Sequence, residues 1–247
     1  MRALAPIVLL IALAACGSHG SSSTPTPVPV GVAITPSDDF LLVGEAVQFS
    51  AAVTLSDGSS SSQPGTWGSD TPGVATVDAT GRVTGVGAGK ATIYVDVQGH
   101  RGTRLLTVIP SYKGQWSGAV VLDTCTDSGA LHASGFCKAV APGDREPLEL
   151  DVVQTRTILS GTITLGGYGG PFTGTVADDG AMGLTTTVSA EGFLVTVKDW
   201  KVRSAQPGVL TGSFGLTWTI PGASGTGVWS VHLDGMHRVS GGSAAAP

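Results

Sequence analysis

From residue 30 onward, apolar and polar positions alternate with a period of two. Val32 and Ile34 share a face, and Pro36 ends that run. Val47, Phe49, Ala51, Val53 and Leu55 form a second apolar face, with Gln48, Ser50 and Thr54 opposite. Alternation of this kind marks a half-buried strand, because successive side chains point to opposite faces of a sheet. Asp57-Gly58 marks a turn. Trp67 follows, then Val74, Thr76, Val77 and the pair Thr80-Gly81. Ala91, Ile93, Val95 and Val97 make another face, and Leu105, Thr107 and Ile109 begin a last one. Roughly six or seven short strands over 30–110 predict a β-sandwich.

The pattern continues over 111–240. Trp116, Gly118, Val120 and Leu122 share a face. So do Leu148, Leu150 and Val152, with Glu149 and Asp151 outward. Leu159 to Leu165, Phe172 to Val176 and Met182 to Val188 alternate in the same way, with Asp179-Gly180 as a hairpin turn. Glu191-Gly192 turns the chain into Phe193, Val195 and Val197. Leu210, Gly212, Phe214, Leu216 and Trp218 form the next face, and Trp229, Val231 and Leu233 the last. About eight successive strands joined by tight turns predict an antiparallel meander. A meander that long exposes its edges unless it closes, which favours a barrel over the alternative, a second sandwich. The expected fold class is therefore all-β, an Ig-like sandwich followed by a meander barrel.

The N-terminus follows a different rule. Met1 and Arg2 precede a largely apolar run from Leu4 to Ala15. About a dozen residues are too few to span a bilayer, which takes roughly 20, and they fit the core of a signal peptide. The run ends in Leu13-Ala14-Ala15-Cys16-Gly17, which resembles the lipobox of bacterial lipoproteins. The resemblance implies cleavage after residue 15, diacylglycerol on the Cys16 thiol and a further acyl chain, such as palmitate, on the new amine. Gly17 and Ser18 lack the acidic residue that retains such proteins at an inner membrane, so the resemblance points to an outer membrane in a Gram-negative host. An ordinary secretory signal beside an incidental cysteine is the alternative. Residues 16–29 are rich in Ser, Thr and Pro and read as an extended tether. Residues 241–247 read as a disordered tail.

Composition narrows the function. The chain has 13 Lys and Arg against 18 Asp and Glu, a net charge of −5. A mildly acidic chain lacks the basic patch of a nucleic-acid binder. There are 3 cysteines. With Cys16 assigned to lipid, Cys125 and Cys137 are left to form a disulfide in an oxidising compartment, and two free thiols are the alternative. Their spacing matches no zinc motif.

Over 30–110, a longer pattern emerges. Val32-x-Ile34-x-Pro36, Gln48-Phe49-x-Ala51, Trp67-x-Ser69 and Ala75-Thr76-Val77-Asp78-x-x-Gly81-x-Val83-x-Gly85 resemble the bacterial Ig-like group 2 domain. The resemblance implies a spacer or adhesion module with Trp67 between its sheets. Asp38, Asp39, Asp57, Asp70 and Asp78 are too scattered for a calcium loop, so no metal or cofactor is expected. In the second domain, Gly114-Gln115-Trp116 with Arg238 resembles the strand ends of lipocalin-like and avidin-like barrels. That resemblance implies arginine packed across tryptophan and a small apolar ligand inside. Trp116, Phe214 and Trp218 would line such a cavity, and many inward glycines and threonines would leave space for it.

No catalytic residue is expected. Ser230, His232 and Asp234 lie on one face of the last strand, whereas a triad converges from separate elements. Asp178-Asp179 is a turn. The sequence thus predicts a non-enzymatic envelope lipoprotein, held at the membrane through its lipid. Its Ig-like spacer would present a β-rich domain that binds a glycan, a protein or a small apolar ligand. A purely structural envelope component and a divergent surface enzyme are the alternatives.

Overall fold

The computed structural model describes residues 26–37 and 39–239. Cys16, the leader over 1–15, most of the tether, Asp38 and the 241–247 tail lie outside the described residues.

The first domain contains β1 (Pro29–Thr35), β2 (Phe40–Leu42), β3 (Ala46–Gln48), β4 (Ser50–Leu55), β5 (Ser60–Ser62), β6 (Thr66–Ser69), β7 (Ala75–Val77), β8 (Arg82–Gly85), β9 (Gly89–Val97) and β10 (His100–Ile109). One sheet has the order β2-β10-β9-β6. Facing strands form two three-stranded pieces, β1-β4-β5 and β3-β8-β7. The predicted alternation is clearest in β9, where Ala91, Ile93, Val95 and Val97 are all buried. Phe49, Val53, Val83 and Leu106 complete the same core, and Trp67 packs against it from a partly exposed position.

One face differs from expectation. In β10, Leu106 is 0% exposed and Leu105 is 57% exposed, so the inward residues are Leu106 and Val108, not Leu105 and Thr107. Pairing decides the parity. Leu106 lies opposite Ala91 and Val108 opposite Gly89, so the inward face of β9 fixes that of β10. A one-residue shift in such a pair moves every side chain to the other face.

The second domain is a closed barrel, β11 through β18 in sequence order. Its strands are β11 (Gly114–Asp127), β12 (Arg145–Thr155), β13 (Ile158–Leu165), β14 (Tyr168–Val176), β15 (Met182–Ala190), β16 (Phe193–Gln206), β17 (Val209–Thr219) and β18 (Gly227–Arg238). The β11–β18 pair closes it, with Trp116 opposite Arg238. Closure satisfies both edges of the meander, which is why the barrel prevails over a second sandwich. A short helix, α1 (Gly129–Ser134), and a 3-10 turn (Phe136–Ala139) interrupt the β11–β12 connection.

Inward residues follow the predicted faces, with one change of parity. In β16, Val195 and Val197 are buried, then Trp200 and Val202. The register with β17 slips between Lys198 and Lys201, and Asp199 takes a φ of 50°. A bulge adds one residue and re-aims the strand beyond it, which brings Trp200 into the core.

The inward glycines close space where the sequence suggests they would leave it. A Cβ on Gly161 would collide with the Asp151 carbonyl oxygen, and one on Gly212 with that of Lys201. Their φ angles of 154° and 142° suit glycine alone. These positions let neighbouring strands bend and approach.

Candidate functional site

An eight-stranded meander has two unlike ends. The β12–β13, β14–β15 and β16–β17 hairpins lie at one end, together with the chain arriving from the first domain. This end is called the base. The β11–β12, β13–β14, β15–β16 and β17–β18 connections lie at the other end, the mouth, which faces away from the first domain.

Tyr112, 0% exposed, plugs the base. Its backbone N–H donates to Gln154 Oε1 at 2.7 Å. Its hydroxyl donates to the Gly180 carbonyl at 2.6 Å and accepts from the Ser204 N–H at 3.3 Å. Trp116 Nε1 donates to the Tyr112 carbonyl at 2.8 Å. The Gln154 amide donates to the carbonyls of Pro110 and Arg156. Arg238 lies 4.8 Å above the Trp116 ring, close enough for a cation–π contact, and donates to the Ser111 carbonyl at 2.6 Å. Burial raises the Tyr112 pKa above its ordinary value, so the phenol stays neutral and donates. The arginine-over-tryptophan geometry expected for Trp116 and Arg238 is therefore present. Leu42 and Ile109 of the first domain join the barrel core, so the two domains meet at the base.

The mouth is built differently. Cys125 and Cys137 are disulfide-bonded, with Cα atoms 5.6 Å apart, as the sequence predicts. The bond ties the helical segment over the barrel end as a cap. Asp127 strengthens the tie, since its carboxylate accepts from the Cys137 N–H at 2.9 Å and lies 2.8 Å from His132 Nδ1. These bonds, that to Cys137 first, hold the Asp127 pKa below its ordinary value. The other flank of the cap is laced to the β17–β18 connection, where Ser128 N–H donates to Thr226 O and Ala130 N–H to Ser224 O, both at 2.9 Å.

The cap delivers Phe136 to the mouth. Its ring centroid is 5.7 Å from that of Trp218, 5.9 Å from Trp229 and 6.2 Å from Phe193. Trp218 and Trp229 themselves lie 4.9 Å apart. Gly227 makes the seat, because a Cβ there would collide with the Phe136 ring. Trp218 also walls a cavity of about 20 Å³ together with Leu165, Tyr168, Val188, Ala190 and Val195. The indole Nε1 atoms of Trp200, Trp218 and Trp229 are buried and have no hydrogen-bond partner among the described residues.

The three aromatic residues expected to line one ligand cavity do not share one. Trp116 lies at the base, Phe214 stacks on Trp200 at 4.4 Å, and Trp218 alone reaches the mouth cavity. That cavity holds about one water-sized probe, whereas small-molecule pockets measure roughly 300–1,000 Å³. A wider groove of about 400 Å³ between the domains is lined by Val86, Pro110, Pro207 and Arg238 among others, with Arg238 its single charged side chain.

Ser230, His232 and Asp234 face outward on β18 and engage separate partners. His232 pairs with Asp123 at 2.7 Å, and Asp234 pairs with Arg145. Among the described residues, no group of three His, Cys, Asp or Glu could hold a metal, and no helix is long and apolar enough to cross a membrane. Sequence reasoning missed Tyr112, Phe136 and Trp200. Phe136, next to Cys137 in a loop with Gly129 and Gly135, was the most accessible of these, since a disulfide-closed loop restricts where its neighbours can go.

Comparison with known proteins supports the first domain. Residues 30–105 match the bacterial Ig-like domain (group 2). No curated protein matches the chain. Among solved structures it is similar to surface layer protein SbsC, domains 4–9, at 12% identity and a TM-score of 0.32, covering 83% of this chain and 31% of that one. It is also similar to the S-layer protein SbsC, domains 5–6, at 14% identity and a TM-score of 0.31, covering 83% of this chain and 98% of that one. The chain thus spans about a third of the first of these structures.

Proposed function

We propose that this protein is a non-enzymatic lipoprotein of the cell envelope, anchored by acyl chains on Cys16, whose Ig-like domain carries a β-barrel away from the membrane. The apolar run ending in Leu13-Ala14-Ala15-Cys16, followed at once by a polar tether, carries the reading. The pairing of Cys125 with Cys137 supports it, because it leaves Cys16 as the one cysteine of three without a partner in that bond. Each buried CH₂ contributes about 0.8 kcal/mol, and more than one chain is needed for stable attachment. Gly17 and Ser18 direct the protein to the outer membrane of a Gram-negative host.

The order of parts gives the display role its geometry. The tether leads into the Ig-like domain, and that domain meets the barrel at its base. The mouth is then the barrel end opposite the tethered Ig-like domain, as suits contact with another envelope component.

The test is metabolic labelling with an alkyne-tagged palmitate, followed by membrane fractionation. Wild-type protein is expected to carry label and sediment with membranes, and Cys16→Ser to lose both. Label retained by C16S, or an unlabelled and soluble wild type, overturns the anchor.

A further inference from the structure

The groove between the domains lies outside the barrel, and the display role does not use it. Its volume of about 400 Å³ falls in the range of small-molecule sites, roughly 300–1,000 Å³, whereas a stable protein partner needs a far broader face. One wall comes from the first domain, with Val43 and the β8–β9 turn at Val86. The other comes from the barrel, with Pro207 of the β16–β17 turn and Arg238 at the end of β18. Pro110 and Ser111, where the chain passes from one domain to the other, complete it.

The charge in this groove is unbalanced. Arg101, Arg145 and Arg203 each pair with an aspartate. Arg238 pairs with no carboxylate among the described residues. Its Nη2 donates to the Ser111 carbonyl, and its guanidinium lies over the Trp116 ring. No Asp or Glu lines the groove among the described residues. Burial pushes the Arg238 pKa down, the direction expected of a cation drawn from water with no anion beside it. The chain as a whole carries a net charge of −5, so a groove whose one charge is positive runs against the overall balance.

We propose that the groove binds a small monocarboxylic acid with an apolar body, its carboxylate on the Arg238 guanidinium and its body against Val86 and Pro207. An arginine fork matches a carboxylate, and such charge-assisted bonds are roughly twice as strong as neutral ones. One cation favours a monoanion over a more highly charged phosphate. The Ser111 hydroxyl and the Gln206 amide bring further donors to the same groove. The walls are held before any ligand arrives. Leu42 and Ile109 of the first domain pack into the barrel core, and Lys113 pairs with Glu45 across the junction at 2.6 Å. A preformed site spares the ligand the cost of ordering it. The inference stands on the two domains alone and survives or fails independently of lipid on Cys16.

The test titrates cinnamate, and cinnamamide as a neutral probe of the same outline, into the ¹⁵N-labelled chain from residue 16 with Cys16→Ser. The amide resonances of Val86 and Gly87 report one wall and that of Gly208 the other. Cinnamate is expected to move both sets saturably, and cinnamamide to bind roughly tenfold more weakly or worse. Val86 is 49% exposed, so a charge there leaves the core intact. Val86→Glu sets a like charge beside the ligand and should weaken cinnamate roughly tenfold or more, whereas Val86→Lys should bind it at least as well as wild type. Arg238→Gln should abolish the response. Because that change also uncovers Trp116, the pair at Val86 decides if R238Q fails to fold. The inference is overturned if wild type shows no saturable shift, if the two probes bind alike, if V86E and V86K bind alike, if the shifts stay on one wall, or if folded R238Q binds as wild type does.

Discussion

Both ends of the barrel are closed by aromatic side chains, yet the closures differ in kind. At the base, every polar atom of the plug has a partner: the Tyr112 amide, carbonyl and hydroxyl and the Trp116 indole are all hydrogen-bonded. The plug also belongs to the chain that starts β11, so it cannot leave without undoing the first strand. At the mouth, Phe136 has no polar group to anchor it, and the indoles beneath it are unpartnered. Its segment is held by a staple and a few loop bonds. The base closure is chain-contiguous and saturated with hydrogen bonds, whereas the mouth closure is a tethered side chain without them.

The comparison is tested most severely by truncating the two aromatics. Trp116→Ala removes a core residue that is 1% exposed and strips the Tyr112 carbonyl of its donor. It is expected to cost about 3–5 kcal/mol, read as a lower urea midpoint at unchanged slope. Phe136→Ala, at a partly exposed position, should cost roughly half as much. Equal costs would erase the distinction between the ends.

Removing the staple comes next. Cys125→Ser with Cys137→Ser opens a loop with a sequence separation of 12 and should cost about 3 kcal/mol in the chain-entropy account. Hydrogen exchange locates the effect. Amides over 129–139 are expected to lose protection while Tyr112 keeps it. Loss at both ends together would show that the cap and base are one cooperative unit.

Tyr112→Phe probes the base with a smaller change. It leaves the Gly180 carbonyl and the Ser204 N–H without the phenol, and the expected cost is about 2 kcal/mol. Protection of the amides over 129–139 should be untouched by it. A coupled response would mean that the plug at one end sets the state of the other.

Much of this contrast was hidden from the sequence for definable reasons. The eight barrel strands were legible because each buries one face, and alternation records a face directly. Alternation does not record depth along the barrel axis. Trp116, Phe214 and Trp218 all face inward, but sit at the base, mid-barrel and mouth. Parity also fails across a bulge, so Trp200 escaped notice behind Asp199. It fails where the partner strand sets it, as for Leu105 and Leu106. The six residues of α1 are too few to show a helical period. Tyr112 reads as a linker residue because nothing local reveals the hole it fills.

The smallest expected effect is the most specific. Asp127 is the one titrating group that ties the cap through the backbone of Cys137. Its folded pKa lies below the ordinary value of 3.8, so the unfolded chain takes up the proton first as pH falls. The tie is therefore fully present above the ordinary value and is lost as pH drops through the depressed one. Protection of the Cys137 amide should fall across that window. At the base, the Tyr112 amide donates to the Gln154 side-chain oxygen, which does not titrate, and its protection should stay flat over the same range. Asp127→Asn keeps an acceptor oxygen but removes the charge, so it should weaken the cap above that window and abolish the transition. A Cys137 amide that follows Tyr112 through acid, or a transition that survives D127N, would place the tie somewhere other than this carboxylate.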